Sequence, residues 1–190
     1  GLGDVYKRQK LDGDKLTPLE CHDMMCIIAD AVLAGGIRRS ALISLFSIND
    51  ESMLNCKALH RAEINEVIGN VDGSYNVIVN VFREDEFYEE KNVWLPKEDF
   101  EKLKKENVLQ WYYLYPHRAR SNNSMVVARS LITEDVFKEK WDVIKKSGSG
   151  EPGLYFTNNV ELGSNPCCEI SLNANQFCNL TSINVSTIVD

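Results

Sequence analysis

"SNNSMVVARSLITEDVFKEKWDVIKKSG", residues 121–148, changes its hydrophobic period midway. From Ser124 it reads as a short buried strand, whereas from Thr133 onward Phe137, Trp141 and Ile144 recur on one helical face until Gly148 stops the helix. A second pair lies upstream. "TPLE" at 17–20 supplies Thr17 as N-cap, Pro18 at the first helical position and Glu20 to complete a capping box. The helix it opens carries Cys21, Met24, Met25, Ile28 and Val32 as one apolar stripe, ends at Gly35-Gly36, and is followed by the strand-like "SALISLFSI". Strands alternating with helices predict a parallel α/β architecture.

Residues 57–110 break that rhythm. "GSYNVIVNVF" alternates as an antiparallel strand does after the "DGS" turn signal, and "KEDFEKLKKEN" reads as a short exposed helix. This stretch is expected to be an inserted α+β excursion on the domain surface.

Bulk composition excludes several functions. A net charge of −7 argues against a nucleic-acid coat, and the one dense basic run, Lys102, Lys104 and Lys105, alternates with acids as on a solvated helix face. No apolar run approaches the roughly 20 residues that span a bilayer, and the N-terminus lacks a signal-peptide layout. The expectation is a cytoplasmic protein with neither membrane nor nucleic-acid partner, in which the six cysteines are reduced thiols. "GLGDVYKRQ" resembles adapter sequence, so residues 1–9 read as a non-native leader, and residues 10–190 as an internal piece of a larger domain.

Several motifs have structural readings. "GSGEPG" at 148–153 fits the dinucleotide fingerprint, but a helix precedes it and "LYFTNN" follows, the reverse of the strand-then-helix context that pattern requires. Cys21 and Cys26 lie about 140° apart on a helix and cannot share an ion; Cys21 and Cys56 read as core thiols, and no metal is expected. His60 and His117 read as exposed or structural. Arg38 and Arg39, after the Gly-Gly turn, are candidates for holding phosphate or for a surface ion pair. Ser121, Asn122 and Asn123 are candidates for a turn or for hydrogen bonds to a polar substrate.

"NPCCEI", residues 165–170, is different in kind. If the segment is extended, Asn165, Cys167 and Glu169 project to one side, and Pro166 and Cys168 to the other. Cys178 follows in "QFCNL". A carboxylate beside a thiol disfavours the thiolate, and no histidine is local, so cysteine-hydrolase chemistry is not indicated. A neutral thiol beside a base and an amide suits hydrogen-atom exchange instead.

"AGGIRRSALISLFS", "RARSNNSMVV", "GEPGLYF", "NPCCEI" and "FCNL", in that order, resemble the catalytic barrel of ribonucleotide reductases, most closely the adenosylcobalamin-dependent (class II) ribonucleoside-triphosphate reductases. The likeness covers most of the chain outside residues 1–9 and 57–110. It implies part of a ten-stranded α/β barrel whose finger loop is "NPCCEI", with the 57–110 stretch as an α+β insertion. By the resemblance Cys167 becomes the thiyl radical that removes the ribose 3′-hydrogen, Glu169 accepts the 3′-hydroxyl proton, Asn165 binds substrate hydroxyls, and Cys178 is one thiol of the redox pair. It also implies adenosylcobalamin as cofactor, a ribonucleotide substrate, nucleotide effectors and a thioredoxin-type reductant.

Cys168 departs from the family, which usually has Gly or Ala there; if the alternation holds it faces away from substrate and tolerates replacement. The upstream redox cysteine, the C-terminal shuttle cysteines and most of the cobalamin surface are expected outside this piece. Cys21, Cys26 and Cys56 are therefore not assigned to the redox pair, and the piece alone is expected to be inactive. Pro166 favours the cobalamin class over class I large subunits, whose loops typically read Asn-Leu-Cys; a truncated barrel serving as a non-catalytic module is the other alternative.

Overall fold

The computed structural model describes residues 13–33, 41–83, 86–179 and 181–187. Helix α1 spans Pro18–Leu33 and strand β1 spans Leu42–Ser47; the short helix α2 is Glu51–Leu54. Strands β2 (Leu59–Val71), β3 (Ser74–Arg83) and β4 (Glu86–Pro96) follow, then helix α3 (Lys97–Glu106), strand β5 (Val108–Gln110) and one turn of helix, α4 (Trp111–Leu114). A 3₁₀ segment, Pro116–Arg120, leads into β6 (Ser121–Ala128), α5 (Glu134–Ser147), β7 (Gly153–Thr157), β8 (Gly163–Ser164) and β9 (Ser171–Leu172).

Strands β1, β6 and β7 form a three-stranded parallel sheet with β6 in the centre. Central position explains the pattern of β6: Ser121, Asn123, Met125 and Val127 alternate into the interior. Ser124 pairs with Gly153, where a Cβ would stand 2.8 Å from the Ser124 hydroxyl, so β7 can approach this closely only through glycine. Met125 and Val127 pack with Leu19, Phe46, Met53, Leu54 and Cys56 in one core. The helix before "GSGEPG" and the strand after it are both present, so the loop lacks the context of a dinucleotide site.

The 57–110 stretch has its own architecture: a four-stranded antiparallel sheet in the order β4-β3-β2-β5, with α3 against it. Val71 pairs with Ser74 across Asp72 (φ 49°) and Gly73 (φ 79°), a two-residue hairpin turn with both central residues left-handed. Val77, Val79, Val81, Val93 and Leu95 point to one face and meet Phe100 and Leu103 of α3 in a second core. The helix predicted as exposed thus buries one edge, with Phe100 stacked on Tyr75 at 4.1 Å. Leu59 pairs with Gln110, so the excursion leaves and returns at one place.

Two helix faces differ from expectation. The capping box of α1 forms, with Thr17 N–H donating to Glu20 Oε2 (2.7 Å) and Glu20 N–H to Thr17 Oγ1 (3.2 Å). Yet the apolar stripe turns outward, with Met25, Ile28 and Val32 about half exposed (49%, 54% and 51%). Leu19, His22, Asp23, Cys26 and Ala29 face inward, so Cys21, read from the sequence as a core thiol, is exposed, and Cys26 is the buried one. The cause is a charge pair made by Asp23 with a residue far along the chain, described below. On α5, Thr133 caps as expected, but Lys140 and Ser147 are the buried positions, Ile144 packs against the first core, and Trp141 is 47% exposed. Trp141 stacks on Phe137 at the surface, 6.1 Å between rings.

No helix among the described residues is long and apolar enough to cross a membrane.

Candidate active-site loop

Strands β8 and β9 pair antiparallel, Gly163 with Leu172 and Ser164 with Ser171, and present residues 165–170 as the loop between them. The loop is a turn, not the extended segment the alternation assumed. Cys168 N–H donates to the Asn165 carbonyl (2.9 Å), closing Asn165-Pro166-Cys167-Cys168, with Pro166 in the second position, where its fixed φ suits a turn. Asn165 then clasps the loop's far side: its N–H donates to the Ile170 carbonyl (3.3 Å), and its Oδ1 accepts from Ile170 N–H (3.0 Å). Ser164 Oγ adds a bond to the same carbonyl at 3.2 Å. A one-sided row of Asn165, Cys167 and Glu169 therefore does not exist. Asn165 is 7% exposed, while Cys167, Cys168 and Glu169 all lie at the surface.

With Oδ1 committed to the loop, the amide of Asn165 has Nδ2 left, and it points at Cys178, 3.9 Å from Sγ. Cys178 is half-buried and comes from the segment after β9. The structure thus brings Asn165 and Cys178 together, with Cys167 two residues along the same turn. Cys168 adopts φ +68°, a left-handed conformation that β-carbon sterics disfavour. Its thiol stands beside that of Cys167 in sequence and is exposed with it, so tolerance at this position no longer follows from side-chain direction.

A cavity of about 650 Å³ extends as far as Gly163, the first residue of β8, and none of residues 165–170 lines it. It opens at the carboxyl ends of the parallel strands, between Phe46–Asn49 and Val126–Ala128, and reaches Val160–Gly163. That is where open parallel sheets receive ligands. A second cavity of the same size, lined by Cys56, His60, Arg61, Arg83 and Arg118, lies at the junction with the inserted sheet, and none of Asn165, Cys167, Glu169 or Cys178 lines it.

The other candidates have definite places. Ser121 and Asn123 are buried, and Asn122 is the exposed member of the three. The Ser121 carbonyl accepts from the Lys57 ammonium, which also meets Glu151 at 2.6 Å. Asn123 bridges Cys56 Sγ (Nδ2, 3.1 Å) and His22 Nε2 (Oδ1, 3.1 Å), so its amide is occupied inside the protein. Arg38 and Arg39 lie outside the described residues.

Sequence reasoning missed the centre of that interior network. Arg118 is 1% exposed and grips Asp23 with both arms, Nε to Oδ1 at 2.7 Å and Nη2 to Oδ2 at 2.8 Å, while Nη1 donates to the Cys56 carbonyl at 2.8 Å. His117 Nε2 lies 3.1 Å from Asp23 Oδ1, close enough for attraction but outside hydrogen-bond alignment, and His22 Nδ1 is 3.4 Å away. Burial alone would raise the Asp23 carboxyl, but Arg118 and the two histidines outweigh it and hold it far below the usual carboxylate range. The usable signal was the polar face of α1, where His22 and Asp23 lie opposite the apolar stripe.

Cys26 Sγ is 3.6 Å from His22 Nε2, a thiol, imidazole and carboxylate in sequence. Burial and the Asp23 charge push that thiol up to about 12, so it stays protonated and is no nucleophile. Burial likewise raises Cys56. The exposed thiols are Cys21 on α1 and Cys167 and Cys168 in the loop, with Cys178 half-buried beside the loop. Among the described residues no group of three or more His, Cys, Asp or Glu is placed to hold a metal ion.

The chain matches no protein-family model, no curated protein and no solved structure.

Proposed function

We propose that this chain is part of an adenosylcobalamin-dependent ribonucleotide reductase, making deoxyribonucleotides for DNA synthesis. The observation that carries the reading is the position of Asn165, whose amide joins the turn bearing Cys167 to the thiol of Cys178 at 3.9 Å. Thiyl-radical reduction of a ribonucleotide needs one sulfur to take a hydrogen atom, a second to supply reducing electrons, and a polar group to hold the sugar between them.

In this reading Cys167, exposed at the turn, takes the 3′-hydrogen and returns it to C3′ at the end of the cycle, and Glu169 on the same loop accepts the 3′-hydroxyl proton. Asn165 donates through Nδ2, the half of its amide the loop leaves available. Water departs from C2′, and Cys178 with a second thiol becomes a disulfide, so two electrons and two protons balance the lost hydroxyl. The cavity at the carboxyl ends of the parallel strands, which extends to Gly163 before the loop, takes the nucleotide. Adenosylcobalamin, when bound, supplies the organic radical that oxidises a thiol, and the surface position of Cys167 fits that requirement. Of Ser121, Asn122 and Asn123 only Asn122 is exposed, and it lies at the amino end of β6, away from that cavity. Nucleotide effectors and a thioredoxin-type reductant belong to the same proposal.

The test is anaerobic reduction of CTP and CDP by the full-length protein, with and without adenosylcobalamin, beside Cys167→Ser. Deoxynucleotide that requires the cobalamin and disappears in the variant is the expected result. Turnover only with an added metallo-subunit would place the protein with the class I large subunits. Activity that survives Cys167→Ser would end the mechanism, and no turnover under any of these conditions would leave the non-catalytic module.

A further inference from the structure

Cys167 and Cys168 are free thiols, consecutive in sequence, and both exposed at the tip of the β8–β9 loop. They occupy the third and fourth positions of a turn closed on Asn165, so the backbone holds them together at the surface. Cys168 sits at φ +68°, which costs a residue with a β-carbon on the order of 1–2 kcal/mol. Glycine would fit there without that cost. Packing offers Cys168 little in return, since its sulfur makes one long contact, 4.0 Å, to the Pro166 carbonyl. A strained, exposed position that sets one thiol beside another points to the sulfur chemistry of the pair.

We propose that Cys167 and Cys168 form a reversible oxidation site, closing to a vicinal disulfide under peroxide and reopening under a dithiol reductant. One thiol is oxidised by the peroxide to a sulfenic acid, releasing the first water. The neighbouring thiol attacks that sulfur, the S–S bond forms, and the hydroxyl leaves as the second water. One peroxide and two thiols thus give one disulfide and two waters. The dithiol reverses this by two exchanges and leaves as its own disulfide.

The geometry favours reversibility. Adjacent Cα atoms are about 3.8 Å apart, inside the roughly 4.4 Å lower limit of ordinary disulfides, so the closed ring is strained and easily reduced. Exposed, strained disulfides form the labile class. Without Cys168, a sulfenic acid at Cys167 has no adjacent trap and proceeds to sulfinic acid, which thiols do not reverse. Protection of a radical-forming thiol rests on the reductase reading; the chemistry of the pair does not.

The experiment treats the reduced full-length chain with hydrogen peroxide, alkylates the remaining thiols under denaturing conditions, and cleaves with a glutamate-specific protease. Cuts after Glu161 and Glu169 release residues 162–169, which carry Cys167 and Cys168 and no other cysteine. The expected product is that peptide, free, unalkylated and lighter by two hydrogens, and restored to two alkylatable thiols by dithiothreitol. It persists in Cys178→Ala. It is lost in Cys168→Ala, where Cys167 accumulates as sulfinic acid. The proposal is overturned if the wild-type peptide is instead tethered to the one bearing Cys178, or if Cys167 reaches sulfinic acid as fast in wild type as in Cys168→Ala. Because the readout is mass rather than turnover, failure here and failure of the reductase assay are separate results.

Discussion

Two single side chains set measurable properties of this protein. At Cys168 the left-handed backbone is the controlling fact: a β-branched residue there is worse than cysteine, and glycine is better. Cys168→Val should be less stable than wild type in urea denaturation, with Cys168→Gly no less stable than wild type. His60 controls the mildly acidic range. It is half-buried against Tyr115, and burial together with the Arg118 and Arg83 charges lowers its pKa from 6.5 to about 4. The unfolded chain therefore takes up a proton below about pH 6.5 that the folded protein refuses until about pH 4, so stability falls as pH falls across that window. At about 1.4 kcal/mol per unit the loss approaches roughly 3 kcal/mol. Stability measured from pH 7 to pH 4 should show this slope in wild type and not in His60→Gln; equal slopes would mean that His60 is not the group responsible.

At the scale of elements, α1 is held to the Pro116–Arg120 segment by Asp23 and Arg118, an ion pair withdrawn from water. Removing one partner strands the other, so Arg118→Ala should cost about 3–5 kcal/mol in chemical denaturation. The low carboxyl pKa of Asp23 stabilises the fold above about pH 3.9, and that contribution drains away as pH falls below it, because the unfolded carboxylate protonates first. Asp23→Asn should abolish this acid arm of the pH profile. The same pair explains what was legible in the sequence. Thr17, Pro18 and Glu20 announced the start of α1 because capping is local, and the Asp72-Gly73 turn and the alternation of β3 were local in the same way. Which face of α1 lies inward was decided by an arginine 95 residues away, and apolar periodicity cannot register that. The loop at 165–170 was misjudged for a related reason: the Asn165 side chain, by bonding Ile170, folds a turn where alternation suggested a strand. The sequence named candidate residues for this loop, but their arrangement could not be read from it.

At the scale of the molecule the described residues form two cores, one behind the parallel sheet and one inside the inserted sheet, linked through Lys57, Arg118 and the strand base at Leu59–Gln110. Leu95→Ala and Met125→Ala each remove a fully buried side chain, and each should cost about 2–5 kcal/mol locally. Native-state hydrogen exchange should show Leu95→Ala lowering protection in β2, β3 and β4 more than in β6, and Met125→Ala doing the reverse. Uniform loss in both variants would show that the molecule opens as one unit. The pairing of Leu59 with Gln110 has one more consequence. Since the excursion departs and rejoins through hydrogen-bonded neighbours, its length is uncoupled from the spacing of β1 and β6, and the intervening chain behaves as a cassette. A reporter grafted at the Asp72-Gly73 hairpin tip would ride on that cassette without altering the distance between the strands it interrupts.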